Sequence, residues 1–233
     1  MSLEYDYIIA GGGSAGCVLA SRLANKSKDS ICLVEAGGRG KNLFIKMPAG
    51  NGFIFGNPKF DWGYHSVKQA QLNNRKIYYA RGKGLGGTSI VNGMVYIRGV
   101  AQDYDNWRQM GLEGWGYSDL LPYFKYSEGS TNRQNKFHGN QGPLKVEPAR
   151  NFSVLDEAFI KAAVETGHEF LDDFNANKRA GVSRLDSTTF RGVRQSSAIS
   201  YLKKVPKNLK IFTNKRVVKI LFNNNKAGTL STV

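Results

Sequence analysis

Cysteine, histidine and proline are scarce in this sequence of 233 residues, with two, three and six of them respectively. Cys17 and Cys32 both lie inside apolar segments and form no C-x-x-C pair, so neither a disulfide framework nor a metal site is expected. No apolar run approaches the roughly 18 residues of a spanning helix, and the N-terminus lacks the charged, apolar and cleavage segments of a secretory leader. A cytoplasmic location is therefore expected, with peripheral membrane association as the alternative. Acid is also in short supply, at 18 residues against 33 basic ones, for a formal charge of +15. Such a balance can signal nucleic acid, a membrane surface or an anionic ligand. Its densest stretch, Lys203 to Lys219, alternates with Val205, Leu209, Ile211, Phe212, Val217 and Val218, which is the pattern of a solvated face, and no nucleic-acid partner is expected. Two phosphate motifs are missing as well. A Walker loop fails because Ile77 stands at its first glycine position and Gly84 follows Lys83, and the H-R-D and D-F-G partners of a kinase loop do not occur.

Glycine is abundant, and its 27 copies gather at 11 to 16, 37 to 40, 82 to 87 and 111 to 116. Tyr7, Ile8 and Ile9 read as a buried parallel strand, and Val18, Leu19 and Leu23 recur at helical spacing. Between them Gly11, Gly13 and Gly16 fit G-x-G-x-x-G, where the first permits a tight turn, the second admits a pyrophosphate and the third allows close helix packing. Backbone N–H groups of Ser14, Ala15 and Gly16 at the helix start would hold the phosphates. A second strand, Ile31 to Val34, ends at Glu35 and Ala36, where a carboxylate can accept hydrogen bonds from a ribose diol. Residues 6 to 35 are thus expected to form a βαβ unit for the ADP half of a dinucleotide.

The second cluster, "RGKGLGGTSIVNGMVYIRGVAQDYD" from Arg81 to Asp105, resembles the first signature of the glucose-methanol-choline (GMC) oxidoreductases. Gly82, Lys83, Leu85, Gly86, Gly87, Thr88, Ser89, Asn92, Tyr96, Gly99 and Asp105 stand at the family's spacings, and similar text continues through "GWGYSDLLPYFKYSE", "HG..GPL" and "RQSSAISYL". The resemblance implies an α/β fold: a Rossmann-like FAD-binding domain with a parallel sheet, plus the beginning of an α+β substrate domain, truncated. Its expected divisions are 1–150 for the first part of the FAD domain, 151–192 for the start of the substrate domain and 193–233 for the return. It also implies FAD along Arg81, Gly82, Gly86, Gly87, Thr88, Ser89, Asn92, Gly93, Met94 and Val95, with the Val217 main chain facing adenine. The glycines there would let the chain pass a flat ring or pyrophosphate unobstructed. Some members tether FAD through a histidine just before the signature asparagine; Val91 stands there, so FAD is expected to be non-covalent.

The activity the resemblance implies is oxidation of an alcohol to an aldehyde or ketone by hydride transfer to flavin N5. Choline or another primary alcohol would be the substrate, and oxygen, a quinone or an electron-transfer protein the acceptor. The family's base is a histidine near the C-terminus of a much longer chain, so no catalytic residue is assigned. His65, His138 and His168 read as solvated or structural. A nicotinamide-dependent Rossmann dehydrogenase and an inactive flavin-binding fragment are the alternatives, and the fragment alone is expected to be inactive. Missing strands would leave an unpaired sheet edge open to self-association. Of the remaining features, a helix capped by Ser153 is expected over residues 153–167, "LKIFTNKRVVKILFNN" reads as two strands around Asn214 and Lys215, residues 41–80 read as an extended approach, and Trp62, Trp107 and Trp115 as core.

Overall fold

In a computed structural model, residues 4–150, 153–178, 180–223 and 226–232 are described. The chain forms two compact units, Met1–Gly93 with Gly192–Val233, and Met94–Arg191. The first unit opens with strand β1 (Tyr7–Ala10), helix α1 (Ser14–Lys26) and strand β2 (Ile31–Val34). Two four-residue helices follow, α2 (Leu43–Lys46) and α3 (Asn51–Ile54), then the antiparallel pair β3 (Tyr64–His65) and β4 (Tyr78–Tyr79). In the second unit come α4 (Ala101–Gln109), α5 (Tyr117–Ser127), β5 (Glu128–Ser130), β6 (Leu144–Pro148), α6 (Val154–Glu165), β7 (Asp186–Ser187) and β8 (Thr189–Phe190). The chain then returns to the first unit with β9 (Val193–Arg194), α7 (Ser197–Tyr201), β10 (Leu209–Phe212), β11 (Val217–Asn223) and β12 (Lys226–Thr232).

β2 lies at the centre of a parallel sheet ordered β1, β2, β10, with Ile31 opposite both Tyr7 and Leu209. A central strand needs apolar side chains on both faces, and all four residues of β2 are buried. Ile9, Ile31, Leu33, Leu85 and Leu209 form the core with Ala20 and Ala24 of α1. The alanines keep the helix close, and each large aliphatic chain removed from water contributes roughly 1.5–3 kcal/mol. A second cluster joins Ile45, Ile54, Phe60, Ile90 and Val91. It explains why residues 41–80 are not the extended approach the sequence suggested: α2 and α3 turn Ile45 and Ile54 inward, and the Asn42 side chain caps α2 by accepting from Phe44 N at 2.8 Å. The two expected strands around Asn214 form, but in different sheets, since β10 joins β2 and β11 pairs with β12. Asn214 takes a left-handed turn, with φ of 58°.

The second unit is built around charge more than hydrocarbon. Its buried apolar residues among those described are Val146 and Leu171, whereas Arg98, Glu128, His138, Glu147, Asn175 and Asp186 are all buried. Glu128 accepts from Arg98 at 2.6 Å and contacts His138 Nδ1 at 2.7 Å, while His138 Nε2 lies 2.8 Å from Asp173. Arg133 extends the network to Asp186 at 2.5 Å and Asp172 at 3.0 Å. Burial opposes a charged imidazole, but hydrogen bonds and charge from Asp173 and Glu128 win and push His138 up to about 9. Helix α6 forms as expected, with Ser153 accepting from Asp156 N, yet Val154, Leu155 and Phe159 on it are exposed. Trp107 and Trp115 are not core residues: they are 42% and 52% exposed and satisfy their rings by contact with each other at 6.1 Å. Trp62, in the first unit, is half-buried and stacked on Tyr64. No helix among the described residues is long and apolar enough to cross a membrane.

Candidate cofactor site

The site starts where β1 ends. Gly11 N donates to Val34 O at 2.8 Å, which ties the turn to the central strand, and Gly11 takes a φ of +95°. Gly16 is the close-packing glycine: a Cβ there would lie 2.0 Å from Gly11 O. Gly13 is different. It caps α1 with extended backbone and no side-chain bond, and a Cβ on it would meet no atom within 4 Å. Ser14 and Ala15 beside it are exposed, and the first turn of α1 carries no acidic residue. Unpaired N–H groups and the positive end of the helix dipole therefore open onto space, which is the donor chemistry a diphosphate requires.

Glu35, 7% exposed, supports the same turn from below. One carboxylate oxygen accepts from Gly12 N at 2.8 Å and the other from Gly37 N at 2.7 Å. Each oxygen keeps a lone pair, so the ribose role expected for Glu35 is compatible with this placement, although its first duty here is to hold two glycine loops together. Ala36 is half-buried between them. Cys17 sits under the turn with its thiol directed at Gly12 O at 3.1 Å, and burial pushes it up to about 11.

The second glycine cluster packs directly on the first. Gly86 N donates to Gly12 O at 2.8 Å, and a Cβ on Gly87 would fall 2.7 Å from Gly13 Cα. Gly87 has φ of 53° and starts a 3-10 turn running to Ile90. These glycines are thus demanded by protein-to-protein contact, a reason the sequence did not give. In the same turn Thr88 and Ser89 are half-buried, and Ser89 Oγ donates to Gly86 O while accepting from Ser197 N at 2.9 Å. Gly82 is buried against Gly87, and Arg81 is exposed with its ring partner Tyr79 at 5.7 Å. Asn92 and Gly93 are exposed, and nothing lies within 4 Å of a Cβ on Gly93. Val91 points the other way, into the second core cluster at 1% exposure, with no atom able to bond covalently to a flavin. Val217 opens β11, half-buried.

Met94 and Val95 belong to the second unit, where Met94 has a φ of 63° and accepts from Thr188 N at 2.7 Å, and Val95 is 50% exposed. A methionine in the left-handed region carries backbone strain of the kind that gathers at functional segments. Of the histidines, His138 is fully enclosed by Glu128 and Asp173, whereas His65 and His168 are exposed. No group of three potential metal-ligating residues occurs among the described residues.

One residue escaped the sequence reading. Arg194 is completely buried in the first unit, and its guanidinium donates to Ile45 O at 2.9 Å, Asn51 Oδ1 at 2.6 Å and both Asn92 O and Oδ1, at 2.6 and 2.9 Å. No local pattern betrays it, because its partners lie 102 to 149 residues away.

Comparison with known proteins gives these contacts a context. "Oxygen-dependent choline dehydrogenase" of Sinorhizobium fredii is 44% identical over 86% of this chain, which covers 37% of that protein. Pyridoxine 4-oxidase from "Mesorbium loti" superposes with a TM-score of 0.93 at 33% identity, over 99% of this chain and 46% of its own. An FAD-dependent oxidoreductase from Chaetomium thermophilum gives a TM-score of 0.90 at 30% identity, over 99% and 42%. The chain spans about two-fifths of the length of the curated relatives it matches. A Rossmann-type βαβ start, two glycine turns in contact and a match to the GMC oxidoreductase model over residues 5–232 lead to one conclusion: the chain belongs to the GMC oxidoreductase family, whose cofactor is FAD.

Proposed function

We propose that this chain forms the FAD-holding part of an alcohol oxidoreductase that converts choline or another primary alcohol to the aldehyde. The observation that carries the reading is the open start of α1 at Gly13, backed by Gly87, where uncapped N–H donors meet unfilled space. Gly11, Gly13, Ser14, Ala15 and Gly16 would hold the pyrophosphate, Glu35 and Ala36 the ribose, and the Val217 main chain the adenine. Arg81, Gly82, Gly86, Gly87, Thr88, Ser89, Asn92 and Gly93 would line the path toward the flavin ring. When bound, FAD supplies the hydride acceptor, and the protein supplies orientation and electrostatics.

No residue of this chain is assigned as the base: His138 is enclosed by two carboxylates, His65 is exposed with its Nδ1 3.0 Å from Gly63 O, and His168 is exposed. Family membership sets aside the nicotinamide-dependent alternative. Oxygen, a quinone or an electron-transfer protein would accept the electrons from the reduced flavin. Val91 favours non-covalent FAD, because a valine side chain packed into the core offers no nucleophile. The full gene product, purified and reduced anaerobically with choline and with simple primary alcohols, tests the reading. Bleaching of a yellow protein by choline or one of these alcohols, with FAD released on acid denaturation, is expected. A colourless protein that takes up no FAD would contradict the site, and flavin that stays with the denatured chain would contradict the non-covalent assignment.

A further inference from the structure

Arg194 is a buried cation without a buried anion. Its nearest polar partners are two backbone carbonyls and two side-chain amides, and no carboxylate pairs with it among the described residues. Burial alone pulls it down to about 10. A structural clip between Ile45, Asn51 and Asn92 could be made by neutral groups at far lower desolvation cost. The use of a guanidinium therefore asks what a donor-only, positively charged group accomplishes there.

Its consequence falls on Asn92. A guanidinium has five N–H donors and no acceptor, so the Asn92 amide must turn its oxygen inward to Arg194. Asn51 is oriented by the same logic, with Oδ1 toward Arg194 and Nδ2 reaching Asn92 O at 3.4 Å. The outward half of the Asn92 amide is then its NH2 group. Asn92 is exposed, and its Nδ2 has no hydrogen-bond partner among the described residues.

We infer that Arg194 is a positioning residue, which locks Asn92 so that it offers only N–H donors to the bound flavin and places a positive charge directly behind them. The inference rests on the proposed flavin contact at Asn92. Its chemical content is that this edge of the site accepts hydrogen-bond acceptors and favours negative charge on the ligand, as arises when a flavin is reduced.

The test uses the full-length, FAD-loaded protein with Asn92→Asp, Arg194→Lys and Arg194→Met. Three quantities are read: FAD dissociation constant, two-electron midpoint potential and thermal midpoint. Asn92→Asp gives Arg194 a carboxylate partner, so thermal stability is expected to hold or rise. It also replaces outward donors with an acceptor, so FAD affinity is expected to fall at least tenfold, or the potential to drop by about 30 mV, the equivalent of tenfold for a two-electron couple. Arg194→Lys keeps the charge but loses the fork, and a smaller change in the same direction is expected. A purely structural clip predicts the same stability for Asn92→Asp but unchanged flavin properties. Should Arg194→Met fail to fold, Arg194→Lys decides, because it leaves Asn92 in place: wild-type affinity and potential in Arg194→Lys would overturn the positioning role. Wild-type affinity and potential in Asn92→Asp would overturn the Asn92 contact and the inference with it while leaving the helix-start site standing, whereas a wild-type protein that binds no FAD would overturn the reading of the whole site.

Discussion

Replacing Gly13 and Gly16 by alanine separates ligand space from protein packing within one turn. At Gly13 the backbone is extended, with φ of −72° and ψ of −166°, so alanine fits the conformation, and its Cβ would touch nothing within 4 Å. Two small terms then oppose each other. Alanine is a poorer helix cap than glycine by something under about 1 kcal/mol, and it restricts the unfolded chain by about 0.4–1 kcal/mol. Stability of the apo protein should therefore change by less than about 0.5 kcal/mol. The methyl group nevertheless occupies the space over the helix start, and FAD affinity should fall by about tenfold or more. At Gly16 the Cβ would sit 2.0 Å from Gly11 O, a backbone atom held by the sheet, so overpacking should cost about 3 kcal/mol or more. Denaturant melts of the apo proteins and titration with FAD, followed by quenching of flavin fluorescence, read the two effects separately. A Gly13→Ala protein that binds FAD as well as wild type would refute the reasoning, as would a Gly16→Ala protein of unchanged stability.

The enclosed imidazole makes a pH prediction. His138 is raised from 6.5 to about 9 in the fold, so its contribution, roughly 3 kcal/mol, is fully present below about pH 6.5 and lost as pH rises through 9. Urea melts from pH 6 to 10 should show that decline, and His138→Gln should flatten it; equal slopes in the two proteins would exclude the network as its source. Cys17, buried and pushed up to about 11, should resist iodoacetamide at pH 8 in the folded protein and react after denaturation, as mass spectrometry of the alkylated peptides would reveal.

The βαβ start was legible because its signals are local: an apolar run, a glycine turn and a helical stripe within residues 6 to 35. The second glycine turn was legible from its spacing, but not its packing, since contact between Gly87 and Gly13 joins segments that no periodicity relates. Helices α2 and α3, four residues each, are shorter than the window in which a 3.6-residue period can be recognised, and they form because Ile45 and Ile54 complete a core with Ile90 and Val91. The charge network shows a related limit. His138 meets Glu128 and Asp173 across 10 and 35 residues, and nothing adjacent to it announces either partner. Trp107 and Trp115 misled for another reason: aromatic size suggests burial, whereas ring-to-ring contact satisfies them at the surface.

The central claim is that the start of α1 holds a diphosphate between the two glycine turns. A crystal structure of the FAD-loaded protein tests it most directly. Pyrophosphate oxygens are expected about 2.7–3.2 Å from backbone nitrogens in the segment Gly13 to Gly16. FAD bound elsewhere, with that segment turned to solvent, would contradict the account.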